Sequence, residues 1–296
     1  MTATPTRVLS AEVTLAREQR GPLQQFLARL LRYRPGIVSL GVLVFLYMLA
    51  FVVPHLLPYS PDSLDLTNML SGPNWQHLLG TDENGRDVLA RLLYGGQISL
   101  TVGIFAVLIA DTVGVLLGAV AGYFGKISDT LIMRITDTML AIPGFLLLLV
   151  ILSLFSPSLG KIELAIGLTS WMTVSRLVRG EILRYKDAEF VQAAKAMGAS
   201  DWRIIFRHLL PQTVSPVVVA SSVLIGAAII LESALSYLGL GIQPPQASWG
   251  NMLTGAQNFV WTEPALAIYP GVLILITVSA FNYFGEGLRS AFNVTE

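Results

Sequence analysis

Long hydrophobic segments alternate with polar stretches along the chain. Four runs contain no Asp, Glu, Lys or Arg: residues 35–61, 138–160, 209–231 and 264–285. A fifth run lies between Arg91 and Lys126 and has Asp111 as its only charged residue. Because about 20 mostly apolar residues are enough to cross the hydrocarbon core of a bilayer, each run predicts a membrane-spanning helix.

A further, weaker span is predicted over residues 164–175. This run is short, so the span must use flanking residues, with Lys161 and Arg176 reaching towards the two interfaces. With six spans and a cytoplasmic N-terminus, 16 Lys and Arg residues lie inside and 3 outside; without this span the numbers are 8 and 11. Since Lys and Arg concentrate on the cytoplasmic side, the charges predict six spans with both termini cytoplasmic.

The N-terminal region is polar and lacks the short apolar core of a cleaved signal peptide. Residues 22–34 predict an amphipathic helix with leucines and a phenylalanine on one face and Arg29, Arg32 and Arg34 on the other. Such a helix is expected along the inner membrane surface. We therefore divide the chain into a cytoplasmic tail with this interfacial helix, residues 1–35, and an all-α six-span membrane domain, residues 36–296.

Composition agrees with this division. The chain is 53% hydrophobic and 13% charged, with a mean hydropathy of +0.65, whereas a soluble domain has about 25% charged residues. Lys plus Arg and Asp plus Glu both number 19, so the net charge does not suggest a nucleic-acid partner. Cysteine is absent, which excludes disulfides and thiol chemistry.

A polar insert, residues 187–211, separates the fourth and fifth predicted spans. Asp187 is a candidate N-cap for a helix running to Met197, and Gly198 suits the left-handed position that ends such a helix. Ser200 is a candidate cap for a second helix, residues 201–209, which we expect to stop near Pro211. The pattern predicts two short helices joined by a glycine turn, which we call the elbow.

The elbow has the composition of a docking surface. Ala193 and Ala194 have minimal side chains, which would let another surface approach the backbone closely. Apolar contact area would come from Phe190, Val191, Met197, Trp202 and Phe206. These features predict docking onto a partner in the aqueous phase; the alternative is an ordinary cytoplasmic loop that lies on the membrane.

The elbow resembles the EAA motif of ABC-importer permeases, in the letters QAAKAMG followed by LLP. The positions that match in type and spacing are Ala193, Ala194, Gly198, Leu210 and Pro211. Two positions depart from the motif: Gln192 replaces a glutamate, and His208 stands where a branched apolar residue is usual.

Longer stretches resemble the C-type permeases of the dipeptide, oligopeptide and nickel importers. They are residues 77–100, 121–149, 235–253 and 281–289, and the resemblance covers about residues 30–290. It implies the type I ABC-importer permease fold with six transmembrane helices, in the bacterial inner membrane. It further implies a permease subunit that moves dipeptides or oligopeptides into the cell.

The resemblance also implies partners. These are a homologous B-type permease that completes a heterodimer, two ATP-binding-cassette ATPase subunits or one fused ATPase, an extracytoplasmic solute-binding protein, and membrane lipid. ATP and magnesium would be bound by the ATPases, and this chain would bind no cofactor and catalyse no reaction. The nearest approach to a P-loop, residues 121–128, lacks the first glycine and the final hydroxyl in register.

The coupling loop implied by the resemblance spans residues 181–212. The residues expected to couple to the ATPase are Phe190, Gln192, Ala193, Ala194, Met197, Gly198, Ser200, Asp201, Trp202, Phe206 and Pro211. Two carboxylates within spans, Asp111 and Glu232, are candidates for the translocation path, with a structural hydrogen bond as the alternative for each. Asp111 adjoins a stripe of small residues and should face the protein interior: Ala106, Ala110, Gly114, Gly118 and Gly122. The three histidines are far apart in sequence and lack the spacing of metal ligands.

Other functions remain open. The same architecture would serve import of nickel, glutathione or another small solute. An ATP-independent channel or secondary transporter is the alternative from a different class, but it would have no need of a docking elbow. A membrane-bound enzyme is disfavoured because no nucleophile–base pair or metal cluster appears.

Overall fold

A computed structural model describes residues 21–56, 60–155 and 158–292, and helices dominate these ranges. The α-helices in chain order are α1 (Pro22–Arg32), α2 (Arg34–Phe51), α3 (Val88–Phe124), α4 (Lys126–Ala141), α5 (Gly144–Ser153), α6 (Leu159–Tyr185), α7 (Glu189–Ala196), α8 (Asp201–Ile204), α9 (Leu210–Tyr237), α10 (Trp249–Ala256) and α11 (Ala265–Phe292). A short 3₁₀ helix, Val53–Leu56, follows α2, and a π-helical turn, Ile205–Leu209, joins α8 to α9.

The apolar helices agree with most of the predicted spans. Four continuous helical segments are long and apolar enough to cross a membrane: Arg34–Leu56, Val88–Phe124, Asp201–Tyr237 and Ala265–Phe292. The pair α4–α5 qualifies as one further span if its two bent halves are taken together. Helix α6 has 27 residues, about 40 Å at about 1.5 Å per residue, but it is more polar than these four segments and does not qualify with them. The span predicted over residues 164–175, within α6, therefore remains a prediction that rests on charge asymmetry.

The predicted third span, residues 138–160, is broken. Helices α4 and α5 meet at 87°, with Ile142 in an extended conformation (φ −88°, ψ 129°). Proline disfavours helical geometry in the preceding residue and lacks the N–H that would continue the helix, so Pro143 sets the break. The predicted third span is therefore not one straight helix, and it qualifies as a span only if its two bent halves are taken together.

Helices α3 and α6 pack closely through the stripe of small residues. A Cβ atom added to Gly118 would lie 2.5 Å from the carbonyl oxygen of Ser175, and one added to Gly122 would lie 2.8 Å from Cβ of Ile182. No side chain larger than hydrogen fits at either glycine without movement of α6. The predicted close helix contact is confirmed, and it joins the two helices that position the elbow.

We expect Gly118→Ala to destabilise the protein by about 1–3 kcal/mol, the usual cost of overpacking a close contact. The added methyl group would also meet Cβ of Val178 at 2.9 Å, so neither neighbour can yield cheaply. The matched control is Gly180→Ala on α6, where an added Cβ has nothing within 4 Å. The check is the thermal unfolding temperature of the purified protein; equal temperatures for the two variants would contradict the packing.

The helix bundle has two distinct ends. At the N-terminal end of α3, Arg91 Nη1 donates to the carbonyl oxygen of Pro61 at 3.2 Å, which ties the loop before α3 to the bundle. The elbow packs against the other end of α3. The C-terminal part of α11 packs on the half of α9 nearer the elbow, since a Cβ atom added to Gly285 would lie 2.9 Å from Cβ of Ser222. The ring of Phe26 in α1 is 4.8 Å from that of Phe292 at the end of α11. Helix α1 and the C-terminal end of α11 are therefore on the same side as the elbow.

Candidate docking elbow and buried carboxylates

The first arm of the elbow is α7. Its N-cap is Ala188 rather than Asp187, and no side chain caps it. The backbone carbonyl of Asp187 instead accepts a hydrogen bond from Gln192 Nε2 at 2.9 Å. The predicted Asp187 cap is wrong because the helix begins one residue later than the sequence suggested.

The turn at Gly198 is as predicted. Gly198 has φ +80° and donates its N–H to the carbonyl oxygen of Lys195 at 2.9 Å, while Ala199 donates to that of Ala194 at 3.0 Å. These two bonds define the Schellman motif that ends a helix with a left-handed residue. A residue that tolerates positive φ is therefore required at position 198.

The second arm begins at Asp201 and does not stop at Pro211. Ser200 is the N-cap residue in backbone conformation, but its side chain makes no capping bond. The Leu210 N–H reaches back five residues to the carbonyl of Ile205, so a π-helical turn leads straight into α9. Pro211 is the second residue of α9, which comes directly after this π-helical turn. The predicted helix stop is wrong, and the arm is continuous with a membrane-spanning helix.

The inner face of the elbow is packed against the bundle. Its fully buried members are Val191, Ala194, Ile204, Ile205 and Leu209, and they share one apolar cluster with residues of α3 and α6. Val191 and Ala194 are three residues apart and so lie on the same face of α7. Ala194 is 2% exposed, so its small side chain serves the elbow's own packing. Val191, which was expected to supply apolar contact area for a partner, is fully buried on the same face, so that expectation is wrong.

The outer face of the elbow is exposed and strongly apolar. Met197 is 82% exposed, Trp202 55% and Phe206 53%, and the rings of Trp202 and Phe206 stack with centroids 5.9 Å apart. The remaining predicted coupling residues on this exposed surface are Phe190, Gln192, Ala193, Gly198, Ser200, Asp201 and Pro211. An exposed apolar surface of this kind can serve as an interaction site, so docking by these residues remains a prediction.

The elbow is also fixed to the end of α3 by polar contacts. Tyr123 Oη donates to Asp201 Oδ1 at 2.6 Å, and Lys195 Nζ lies 5.5 Å from the centre of the Tyr123 ring. One aromatic side chain of α3 therefore contacts both arms. The elbow is thus connected to α3 through this side chain and to α9 through the continuous second arm.

Asp111 lies between α3 and α9. Its Oδ2 accepts a hydrogen bond from Ser221 Oγ at 2.7 Å, and its Oδ1 is buried without a partner among the described residues. The carboxylate thus faces the protein interior, as its position beside the small-residue stripe predicted. A role in the translocation path remains a prediction.

Glu232 is completely buried at the end of the bundle far from the elbow. It accepts hydrogen bonds from Ser99 Oγ at 2.9 Å and Ser236 Oγ at 2.7 Å. These serines in turn accept from the backbone N–H groups of Trp249 at 3.3 Å and Ile242 at 2.9 Å. The carboxylate therefore connects α3, α9 and α10, which supports the structural alternative for this residue. Part of this network could have been predicted from the sequence, because Ser236 follows Glu232 by one helical turn and so lies on the same helix face.

We expect Glu232→Ala to lower the free energy of unfolding by about 1–3 kcal/mol for each buried hydroxyl left without an acceptor. The control is Glu286→Ala, because the Glu286 side chain is 56% exposed and its contact with Arg289 is long, at 3.9 Å. Such surface pairs contribute about 0–1 kcal/mol. The measurement is the unfolding temperature of the purified proteins, and an unchanged value for Glu232→Ala would show that the network is not structural.

Comparison with known proteins decides the family. Residues 114–293 match the family described as binding-protein-dependent transport system inner membrane component. The chain belongs to this family of membrane permeases. Residues 21–73 additionally match the N-terminal TM domain of oligopeptide transport permease C. The chain is therefore a membrane component of a transport system and not its catalytic subunit.

Curated relatives resemble this permease over most of its length. A glutathione transport system permease protein, GsiD, of Pectobacterium atrosepticum is 40% identical over 273 residues, which is 92% of this chain and 91% of that protein. The dipeptide transport system permease protein DppC of Bacillus subtilis is 40% identical over 264 residues, covering 89% and 82% of the two chains. The DppC of Alkalihalophilus pseudofirmus is 38% identical over 270 residues, 91% of this chain and 89% of that one.

The fold also matches a solved transporter. The inward-facing MetNI methionine ABC transporter aligns with a TM-score of 0.54, covering 70% of this chain and 97% of that chain at 19% identity. At this identity the similarity shows the fold alone. The permease therefore has the all-α membrane fold of the type I ABC importers, as the elbow motif led us to expect.

Proposed function

We propose that this chain is the permease subunit of an ABC importer that moves dipeptides or short oligopeptides into the cell. Relatives named for dipeptide and for glutathione transport support this cargo, since glutathione is itself a small peptide. The observation that carries the coupling half of the proposal is the elbow. It presents exposed Met197, Trp202 and Phe206 outwards while being fixed to three bundle helices.

In the proposed mechanism, partner ATPases bind and hydrolyse ATP and hold the elbow in a groove. Closure of the ATPases moves the elbow, and α3 and α9 transmit that movement into the membrane. Rocking of this chain against a homologous permease then exposes a central site alternately to the two sides, which is a known route to alternating access. The elbow and both termini are on the cytoplasmic side, and a solute-binding protein delivers cargo at the opposite end.

The cargo is tested by uptake of labelled alanyl-alanine, trialanine, glutathione and nickel ions in cells with and without this gene. We expect loss of peptide uptake on deletion, restored by the wild-type gene, with nickel uptake unchanged. Loss of glutathione uptake alone would narrow the cargo to that tripeptide. Loss of nickel uptake alone would retain the importer and overturn the peptide assignment.

A further inference from the structure

An open cleft lies between the two arms of the elbow, and three of the side chains that line it are basic. Its lining is Ala194, Met197, Ala199, Arg203, Arg207 and His208. Arg203 and Arg207 are exposed and His208 is half-buried. Among residues 21–56, 60–155 and 158–292, no carboxylate pairs with either arginine. The positive charge of the cleft is therefore not compensated by the part of the chain that the structure describes.

Neighbouring arginines behave differently. Arg176 pairs with Asp137 at 2.5 Å, Arg179 pairs with Asp129, and Arg184 lies 3.9 Å from Glu181. The bundle thus supplies carboxylates to the arginines of α6 and none to the two arginines of the cleft.

The π-helical turn explains how three basic side chains come to one cleft. In an ordinary α-helix Arg203 and Arg207, four residues apart, share a face, while His208 would be turned away from them. In the turn Ile205–Leu209 the backbone bonds span five residues. The wider turn brings His208 towards the same face, where it lines the cleft with both arginines.

The two departures from the EAA motif act in the same direction. Gln192 removes the negative charge of the usual glutamate from the exposed side of α7, and His208 replaces an apolar side chain with an imidazole hydrogen-bonding group. Both changes make the elbow a better site for an acidic partner and a poorer one for a basic partner. Met197 lines the cleft and is also the most exposed apolar residue of the elbow's outer face, so whatever docks on that face meets the cleft.

We propose that the cleft formed by Arg203, Arg207 and His208 binds a carboxylate-bearing surface of the partner ATPase. The contact is then a charge pair with its basic side on this permease. This inference rests on the proposed function, because it requires that an ATPase docks on the elbow. Charge-assisted bonds from a guanidinium to a carboxylate are short and directional, so the pair fixes the orientation of docking while the apolar residues supply contact area.

Carbodiimide cross-linking of the assembled transporter tests the proposal, because this reagent joins a primary amine only to a carboxylate. The Arg207→Lys variant places an amine in the cleft, and Arg289→Lys is the control on α11, where the arginine side chain is 64% exposed. We expect Arg207→Lys to give a covalent permease–ATPase product whose peptide map shows an Asp or Glu of the ATPase joined to residue 207. The control should give no product joined through residue 289, and any product through the natural Lys195 is recognised by its different peptide.

A second test reverses the charge of the cleft and measures how much ATPase the permease retains. In detergent-purified complexes, Arg203→Glu combined with Arg207→Glu should weaken ATPase retention by at least about tenfold, as loss of a close charge pair does. The matched double change to Gln should weaken it less, because it removes attraction without adding repulsion.

The outcomes separate this inference from the proposed function. If Met197→Cys cross-links to the ATPase but Arg207→Lys gives no carbodiimide product with it, docking stands and the acidic contact is overturned. If neither residue cross-links, both proposals fail. If charge reversal weakens ATPase retention only in vesicles that contain phosphatidylglycerol and not in phosphatidylcholine vesicles, the cleft binds lipid headgroups and the inference is overturned.

Discussion

Gly198→Pro should abolish ATP-coupled uptake while the chain remains inserted in the membrane. Gly198 has φ +80° and donates its N–H to Lys195, whereas proline fixes φ near −65° and has no N–H. The turn cannot form with proline, and the two arms lose their mutual orientation at a cost of about 3 kcal/mol or more. We expect uptake to fall by more than about tenfold, since about 1.4 kcal/mol already corresponds to a factor of ten.

The matched control for this change is Gly198→Asn. Asparagine tolerates the left-handed conformation better than other residues with a Cβ atom, and an added Cβ at this position has nothing within 4 Å. This variant should retain most of the uptake. The test compares uptake with the amount of each variant in the membrane fraction; full activity of Gly198→Pro at normal abundance would refute coupling through the elbow.

Ala193→Arg and Ala194→Arg, one residue apart, should fail for different reasons. Ala193 is exposed on α7, whereas Ala194 is 2% exposed in the apolar cluster with α3 and α6. Arginine at 193 adds a long side chain to the docking face and should reduce ATPase binding and uptake without affecting folding. Arginine at 194 buries an unpaired charge, which costs about 3–5 kcal/mol, so the chain itself should be destabilised.

The measurement for this pair combines the unfolding temperature of each purified variant with the amount of ATPase that copurifies with it. We expect a normal unfolding temperature and little ATPase for Ala193→Arg, and a lowered unfolding temperature for Ala194→Arg. A normal unfolding temperature for Ala194→Arg would show that the elbow separates from the bundle. Normal ATPase binding by Ala193→Arg would place the docking surface elsewhere.

Features that depend on local sequence were predictable. The apolar helices follow from runs of uncharged residues, and the close contact of α3 with α6 follows from small residues at every fourth position. The turn at Gly198 follows from a residue type that alone adopts positive φ freely.

Features that depend on helices far apart in the sequence were not predictable. Ser99 and Glu232 are 133 positions apart, and nothing in either segment specifies that they meet. The two prolines show the same limit. Pro143 breaks a hydrophobic helix whereas Pro211 is accepted within a continuous one, because a π-helical turn precedes it. A proline in the sequence therefore does not show whether the helix will break or continue.

The same limit applies to the elbow. Ala193 and Ala194 have identical side chains, and only the packing of α7 on the bundle shows that one is exposed and the other buried.

The most direct test of ATPase docking is thiol cross-linking from Met197→Cys. The natural chain contains no cysteine, so the new residue would be its only thiol, at a position that is 82% exposed. A homobifunctional maleimide, applied to the assembled transporter whose ATPase carries one cysteine at its membrane-facing groove, should join the two chains. Leu56→Cys, at a residue 77% exposed at the opposite end of the bundle, should give no product. Cross-linking from position 56 but not from 197 would contradict the account.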